Sequence, residues 1–226
     1  MLKIKFFFYD TSYSWNELCS EVNKLKYNDT DSQGLKILNC TASEISAIFY
    51  EKISYSETVN HPINGIIEEV NEVYFATEFV ISNQYGMIYL LNPSKRAASF
   101  LTFFSFKLRS FQIAELEFDV LRFSETAKNI VDNYRTKKIN FPPFQISQTG
   151  KAYFSISSKA DAYGEVADIN LPLPCKPSKI WFEGHSMGRK IAGEVSASGT
   201  CSLSEYNSSY LLEKFLDQHK NFVCQN

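Results

Sequence analysis

The stretch Val73-Tyr74-Phe75-Ala76-Thr77-Glu78-Phe79-Val80-Ile81, followed by the turn Ser82-Asn83-Gln84-Tyr85-Gly86 and the run Met87-Ile88-Tyr89-Leu90-Leu91, decides the fold class. Two apolar segments around a turn that ends in glycine read as a β-hairpin. Asn92-Pro93 comes next, a good helix cap and a residue suited to the first helical position. Ala97, Phe100, Leu101, Phe104 and Leu108 then recur at helical spacing, with apolar residues nearly all round, as in a buried helix. In 114–123, Leu116, Phe118 and Val120 alternate with Glu115, Glu117 and Asp119, which predicts a strand with one wet, acidic face. Hairpin, helix and strand together carry the densest apolar sequence in the chain. They predict an α+β fold with a largely antiparallel sheet.

Upstream, Leu2, Ile4 and Phe6 alternate as in a first strand, 2–9. Ser14-Trp15-Asn16-Glu17 is a capping box, and Leu18, Val22 and Leu25 continue it as an amphipathic helix over 15–27. Strands are expected at 35–38 and 45–55, with polar connections at 28–34 and 60–65. Downstream, Ser124 is placed to cap a helix reaching Tyr134. Phe141-Pro142-Pro143-Phe144 breaks the pattern. Beyond it, short Ser-rich strands are expected at 144–147, 151–157, 165–170, 179–185 and 189–197, with turns at Gly150, Gly164, Pro172, Pro174 and Pro177, and a last helix over 205–220. The organisation read from this is an α+β core, 1–140, and a β-rich subdomain, 141–226, which could also form one continuous domain.

The 226 residues suffice for a sizeable core. A net charge of −2 argues against a global positive field drawing the protein to nucleic acid, though a local basic patch is compatible with it. The five cysteines, Cys19, Cys40, Cys175, Cys201 and Cys224, have no regular spacing and read as free thiols of a reducing compartment. No run reaches the roughly 18 apolar residues of a membrane span. The N-terminal apolar segment is too short for a signal peptide. A cytoplasmic protein without membrane contact is expected. There is no phosphate-cradling glycine loop, and the histidines His61, His185 and His219 show no zinc spacing. Neither a cofactor nor a metal is expected. The acids Glu115, Glu117 and Asp119, joined by Glu78, would offer a divalent metal a site only if they met across neighbouring strands.

Gly184-His185-Ser186-Met187-Gly188 resembles the nucleophile elbow of α/β-hydrolases. That family places an acid and then a histidine after the serine. Here 38 residues follow Gly188, and they contain one histidine, His219. Asp217 precedes it by two positions on a predicted helix, so the pair would face apart. Residues 189–197 alternate like a strand, which predicts a hairpin turning at Met187-Gly188. Ser186 with His219 is the alternative catalytic reading; a metal-dependent nuclease is another.

Basic pairs beside aromatics are the other candidate feature. Arg135, Lys137 and Lys138 follow Tyr134, and Arg189 and Lys190 follow the GHSMG segment. Such groups contact phosphates while exposed rings stack bases. The layout of residues 73–123, strand, glycine turn, strand and proline-opened helix, resembles that of bacterial phage-exclusion and abortive-infection proteins. The resemblance implies action through nucleic-acid or protein contacts and carries no site residues. The functional expectation is a non-catalytic binding protein, an accessory of bacterial, phage or mobile-element defence. Its partners would be a protein or a second copy of itself, or nucleic acid.

Overall fold

The computed structural model describes residues 1–63, 65–168, 176–204 and 208–224, apart from the side chains of His61, Ala167 and Asp168. In chain order the first elements are β1 (Leu2–Thr11), α1 (Trp15–Lys24), β2 (Gln33–Cys40), β3 (Glu44–His61), β4 (Gly65–Ser82), β5 (Met87–Leu91), α2 (Ala97–Lys107) and β6 (Phe111–Glu115). There follow α3 (Val120–Ala127), β7 (Asp132–Asn140), β8 (Phe144–Gln145), β9 (Lys151–Ala152), β10 (Ser155–Ser157) and α4 (Ala162–Asp168). Next come β11 (Lys179–Ser186), β12 (Arg189–Ser196), β13 (Thr200–Leu203), α5 (Ser208–Asp217) and a 3-10 turn, His219–Asn221. The fold is α+β with a largely antiparallel sheet. It divides into two compact units, Phe8–Ile113 and Met1–Phe7 with Ala114–Asn226. The division lies at 113/114, whereas the composition break lies at 140/141.

In the unit Phe8–Ile113, the strands run in the order β5-β4-β3-β2. The capping box forms: the Ser14 amide donates to Glu17 Oε2 at 2.8 Å, and the Glu17 amide donates to Ser14 Oγ at 3.4 Å. The Ser14 hydroxyl, which donates to Glu17 Oε2 at 2.7 Å, and then the Ser14 amide hold the Glu17 carboxyl below its ordinary range. The helix they start buries Leu18 and Val22, and Trp15 Nε1 donates to the Thr41 carbonyl at 2.8 Å. Helix α2 sets Phe100, Phe103 and Phe104 on the sheet. Phe79 lies 4.7 Å from Phe100 and 5.3 Å from Phe104 between ring centres, and Phe49 lies 5.1 Å from Phe103. Burying each ring contributes about 1.5–3 kcal/mol.

The start of this helix differs from expectation. Asn92 has φ 46°, in the left-handed region that Asn tolerates, so it ends β5 instead of capping a helix. The first helical residue is Ala97, and Arg96 stands before it without a side-chain cap.

In the other unit, the strands run β10-β7-β11-β12-β13-β1. Phe123 of α3 centres its aromatic core, 4.8 Å from Phe215, 5.1 Å from Phe222 and 5.9 Å from Phe182. The predicted strand 114–123 is corrected: β6 ends at Glu115, and Asp119 caps α3 by accepting from the Leu121 and Arg122 amides at 3.1 Å each. Leu116, Phe118 and Val120 are buried as expected, but the acid row is broken up. The predicted helix 124–134 is also corrected. Helix α3 stops at Ala127, and β7 begins at Asp132, with Asn133 next to it at φ 51°. Instead of the strand 165–170, Ala162–Asp168 is helical, opened by Asp161 Oδ1 accepting from the Tyr163 amide at 3.3 Å. Residues 169–175, with Pro172, Pro174 and Cys175, and 205–207, the expected start of the last helix, lie outside the described residues.

Candidate functional site

The hairpin β11–β12 organises the site. Met187 and Gly188 both have positive φ, 49° and 76°, the combination of a two-residue primed turn whose twist matches the strands. Register follows from it: Ser186 faces Arg189, His185 faces Lys190, Glu183 faces Ala192 and Trp181 faces Glu194. Strand β7 pairs with the other edge of β11, setting Lys138 opposite Trp181, Arg135 opposite Glu183 and Asp132 opposite His185. Side chains alternate along β11. Ile180, Phe182, Gly184 and Ser186 are buried, while Lys179, Trp181, Glu183 and His185 are half-exposed.

This register accounts for the GHSMG residues without catalysis. A Cβ on Gly184 would lie 2.4 Å from Val131 Cγ1 and 2.9 Å from the Asp132 carbonyl, so the first glycine admits β7. Gly188 completes the turn. Ser186 is 4 % exposed and, among the described residues, hydrogen-bonds to no imidazole. His185 follows the opposite face of the same strand. His219 Nδ1 sits 2.7 Å from the Leu216 carbonyl, in the turn after α5. The structure therefore does not assemble Ser186 and His219 into a pair.

The half-exposed face of β7, β11 and β12 gathers charge. The Nζ atoms of Lys138 and Lys179 stand 5.1 and 5.2 Å from the centre of the Trp181 ring, a cation–π arrangement with one lysine on the paired strand β7 and the other two residues back along β11. Glu183 Oε2 lies 3.0 Å from Lys190 Nζ and Oε1 lies 3.5 Å from Lys137 Nζ. The hydrogen bond from Lys190, helped by the Lys137 charge, holds the Glu183 carboxyl below its ordinary range. Lys179 Nζ also pairs with Glu194 at 2.8 Å. Arg135 is exposed on the same face. Of the five basic residues singled out in the sequence, Arg135, Lys137, Lys138 and Lys190 share this face; Arg189 lies at the hairpin end, in register with buried Ser186. Lys179 and Trp181 escaped notice. Their i, i+2 spacing with Glu183 and His185 in a strand-like segment was the signal that could have found them.

Other polar groups are committed to the fold. Ser124 Oγ lies 3.0 Å from Tyr134 Oη and 2.9 Å from Thr136 Oγ1, a hydroxyl trio under the sheet. Burial pushes the Tyr134 phenol up to about 12. A groove of about 370 Å³ between the ends of α3 and α5 is lined by Thr126, Asn129, Tyr210, Lys214, Asp217 and Gln218, with Ile130, and contains no imidazole or thiol. Burial, then the neighbouring Cys40 thiol, pushes Cys19 up to about 12. Burial does the same for Cys201, so neither is a ready nucleophile. Asp119, used as a cap, is withdrawn from the proposed acidic row. No helix among the described residues is long and apolar enough to cross a membrane.

Compared with known proteins, the chain matches no family model, and none of the curated proteins matches it.

Proposed function

We propose that this protein acts by binding and that the outer face of β7, β11 and β12 takes single-stranded nucleic acid. In this reading Lys137, Lys138, Lys179, Lys190 and Arg135 contact phosphates, and Trp181 offers its ring to a base. The observation that carries it is the Trp181 ring, with the ammonium groups of Lys138 and Lys179 5.1 and 5.2 Å from its centre, on a face with five cations and the carboxylates Asp132, Glu183 and Glu194. Stacking platforms ringed by ammonium groups bind single strands with little regard for sequence. Catalysis through Ser186 finds no supporting base, and an active-serine phosphonate is expected to leave Ser186 unlabelled.

Titration of labelled single-stranded DNA and RNA tests the reading. Affinity should fall steeply between about 50 mM and 200 mM salt, with a slope of about −2 to −3 for three or four neutralised phosphates. Trp181→Ala should weaken binding about 5- to 100-fold, equivalent to about 1–3 kcal/mol. Flat titrations at the lower salt would overturn the proposal.

A further inference from the structure

Strands β3 and β4 run together for 18 residues each. Their outer neighbours are much shorter. The last pair between β2 and β3 is Gln33 with Glu51, and β5 stops at Leu91, opposite Glu78. Helix α2 ends its cover at the same level, where Arg96 clasps Glu51 with bonds of 2.6 and 3.1 Å and lies 5.1 Å over the Phe75 ring. Beyond that clasp, 53–61 and 65–73 form a two-stranded arm about 30 Å long at 3.3 Å per residue. Among the described residues neither of its edges has a neighbouring strand. A lone two-stranded ribbon is marginal in water. This one also exposes Tyr55, Ile66, Val70 and Val73, Val70 by 71 %.

The two edges differ. On β4 the arm carries Glu68, Glu69 and Glu72, charges of the kind that guard an open edge. On β3, residues 53–60 carry a single charge, Glu57, among Ser54, Ser56 and Thr58. The Lys52 amide points outward, donating to the Ser32 carbonyl at 2.7 Å. Alternation along the strand then turns the amides and carbonyls of Ser54, Ser56, Thr58 and Asn60 outward too, to a side where no strand of the described residues runs.

We propose that this β3 edge is an interface for a second copy of the chain, pairing antiparallel with itself about a two-fold axis at Ser56. The surface lies in a different unit from the Trp181 face, and the proposal does not rest on that reading. Charge and hydrogen bonding select the centre. An axis at Glu57 would oppose the two Glu57 carboxylates, and like charges directly opposite are destabilising. An axis at Tyr55 would need the Lys52 amide, which Ser32 already holds. An axis at Ser56 pairs Ser54 with Thr58 and Ser56 with itself, for about six hydrogen bonds. It also sets Ile53 against Val59 and Tyr55 against Glu57 across the seam, continuing an apolar stripe from one arm into the other. The result is a four-stranded ribbon of two-fold symmetry, the commonest symmetry of homo-oligomers.

A register-specific cross-link tests it, in a full-length chain with exposed Cys40 replaced by serine. Directly opposed residues of a hydrogen-bonded pair lie about 5.5 Å apart between Cα atoms, within disulfide range. Ser56→Cys should therefore oxidise to a covalent dimer. Ser54→Cys and Thr58→Cys should each stay monomeric alone and cross-link when mixed. Light scattering of the unmodified chain should give a dimer, and Ser56→Pro, whose lost amide points outward, should give a monomer with an unchanged circular dichroism spectrum. A monomer at every concentration, or cross-linking at residue 54 or 58 alone as fast as at 56, would overturn the proposal. So would a dimer that survives Ser56→Pro but is lost on Lys138→Glu, which would point to the acidic arm docking on the basic face instead.

Discussion

The hairpins β3–β4 and β11–β12 are built from similar strand signals and meet opposite fates. In β11–β12 both edges are occupied, by β7 and β13, and Ile180, Phe182, Ile191 and Val195 are buried beneath. In β3–β4 the same treatment stops at Glu51. Ala47 and Phe49 are buried, Ile53 is half-exposed, and Tyr55 is 48 % exposed. Alternation persists in the backbone while burial fades, because burial depends on neighbours that the two strands do not themselves supply. A β-strand is thus a local property of the chain, whereas a buried strand belongs to the sheet.

The contrast can be broken by mutation. Phe182→Ala, in the supported hairpin, should cost about 3–5 kcal/mol in urea denaturation, since the site is fully packed. Were the loss below about 1 kcal/mol, the hairpin would be far less embedded than its burial implies. At the foot of the arm, Arg96→Ala leaves the buried Glu51 carboxylate without its partner and should cost about 1–3 kcal/mol. The same ion pair gives a pH signature. Arg96, then Gln33, hold Glu51 below its ordinary carboxyl range, so its contribution is complete above the unfolded value of about 4.3 and is lost as pH falls through the folded one. The wild-type urea midpoint should decline on acidification, and Glu51→Gln should flatten that decline.

The smallest effect is expected in the arm itself. Lys52 and Tyr74 are directly opposed, so replacing 53–73 by Asn-Gly closes a shorter hairpin in the same register. In dilute protein this excision should shift the melting midpoint by less than about 3 °C, equivalent to about 1 kcal/mol for a chain of this size. At higher concentration the wild type should gain stability through association and the excised chain should not.

How much of this was legible in the sequence follows the same division between local and non-local. The Ser14 capping box, the β11–β12 turn and the strands of the central hairpin rest on neighbouring residues and were readable. The opening of strand β7, 132–134, reads in the sequence as a helix tail, and 135–140 carry no clear element signal. Its inward residues are Tyr134, Thr136 and Ile139, and a bulge that leaves Lys137 unopposed between the pairs of Thr136 and Lys138 shifts the alternation by one residue. Leu116, Phe118 and Val120 alternated inward, but the Asp119 cap turned the chain into a helix at the point where a strand was expected. The basic residues Arg135, Lys137, Lys138 and Lys190 were visible singly. Their meeting on one face depends on β7 and β12 both choosing β11, a pairing no local pattern encodes. The length of the arm was hidden for a different reason: 53–73 has little apolar periodicity, and only the ladder between β3 and β4 defines it.

The chain has two tryptophans, and each unit contains one. Trp15 reports on the capping-box helix through its indole bond to Thr41, and Trp181 sits beside two ammonium groups on the basic face. Replacing either by phenylalanine would leave a single tryptophan, which, excited at wavelengths beyond tyrosine absorption, would let melting or ligand-induced quenching be followed optically in one half of the polypeptide at a time, without a dye.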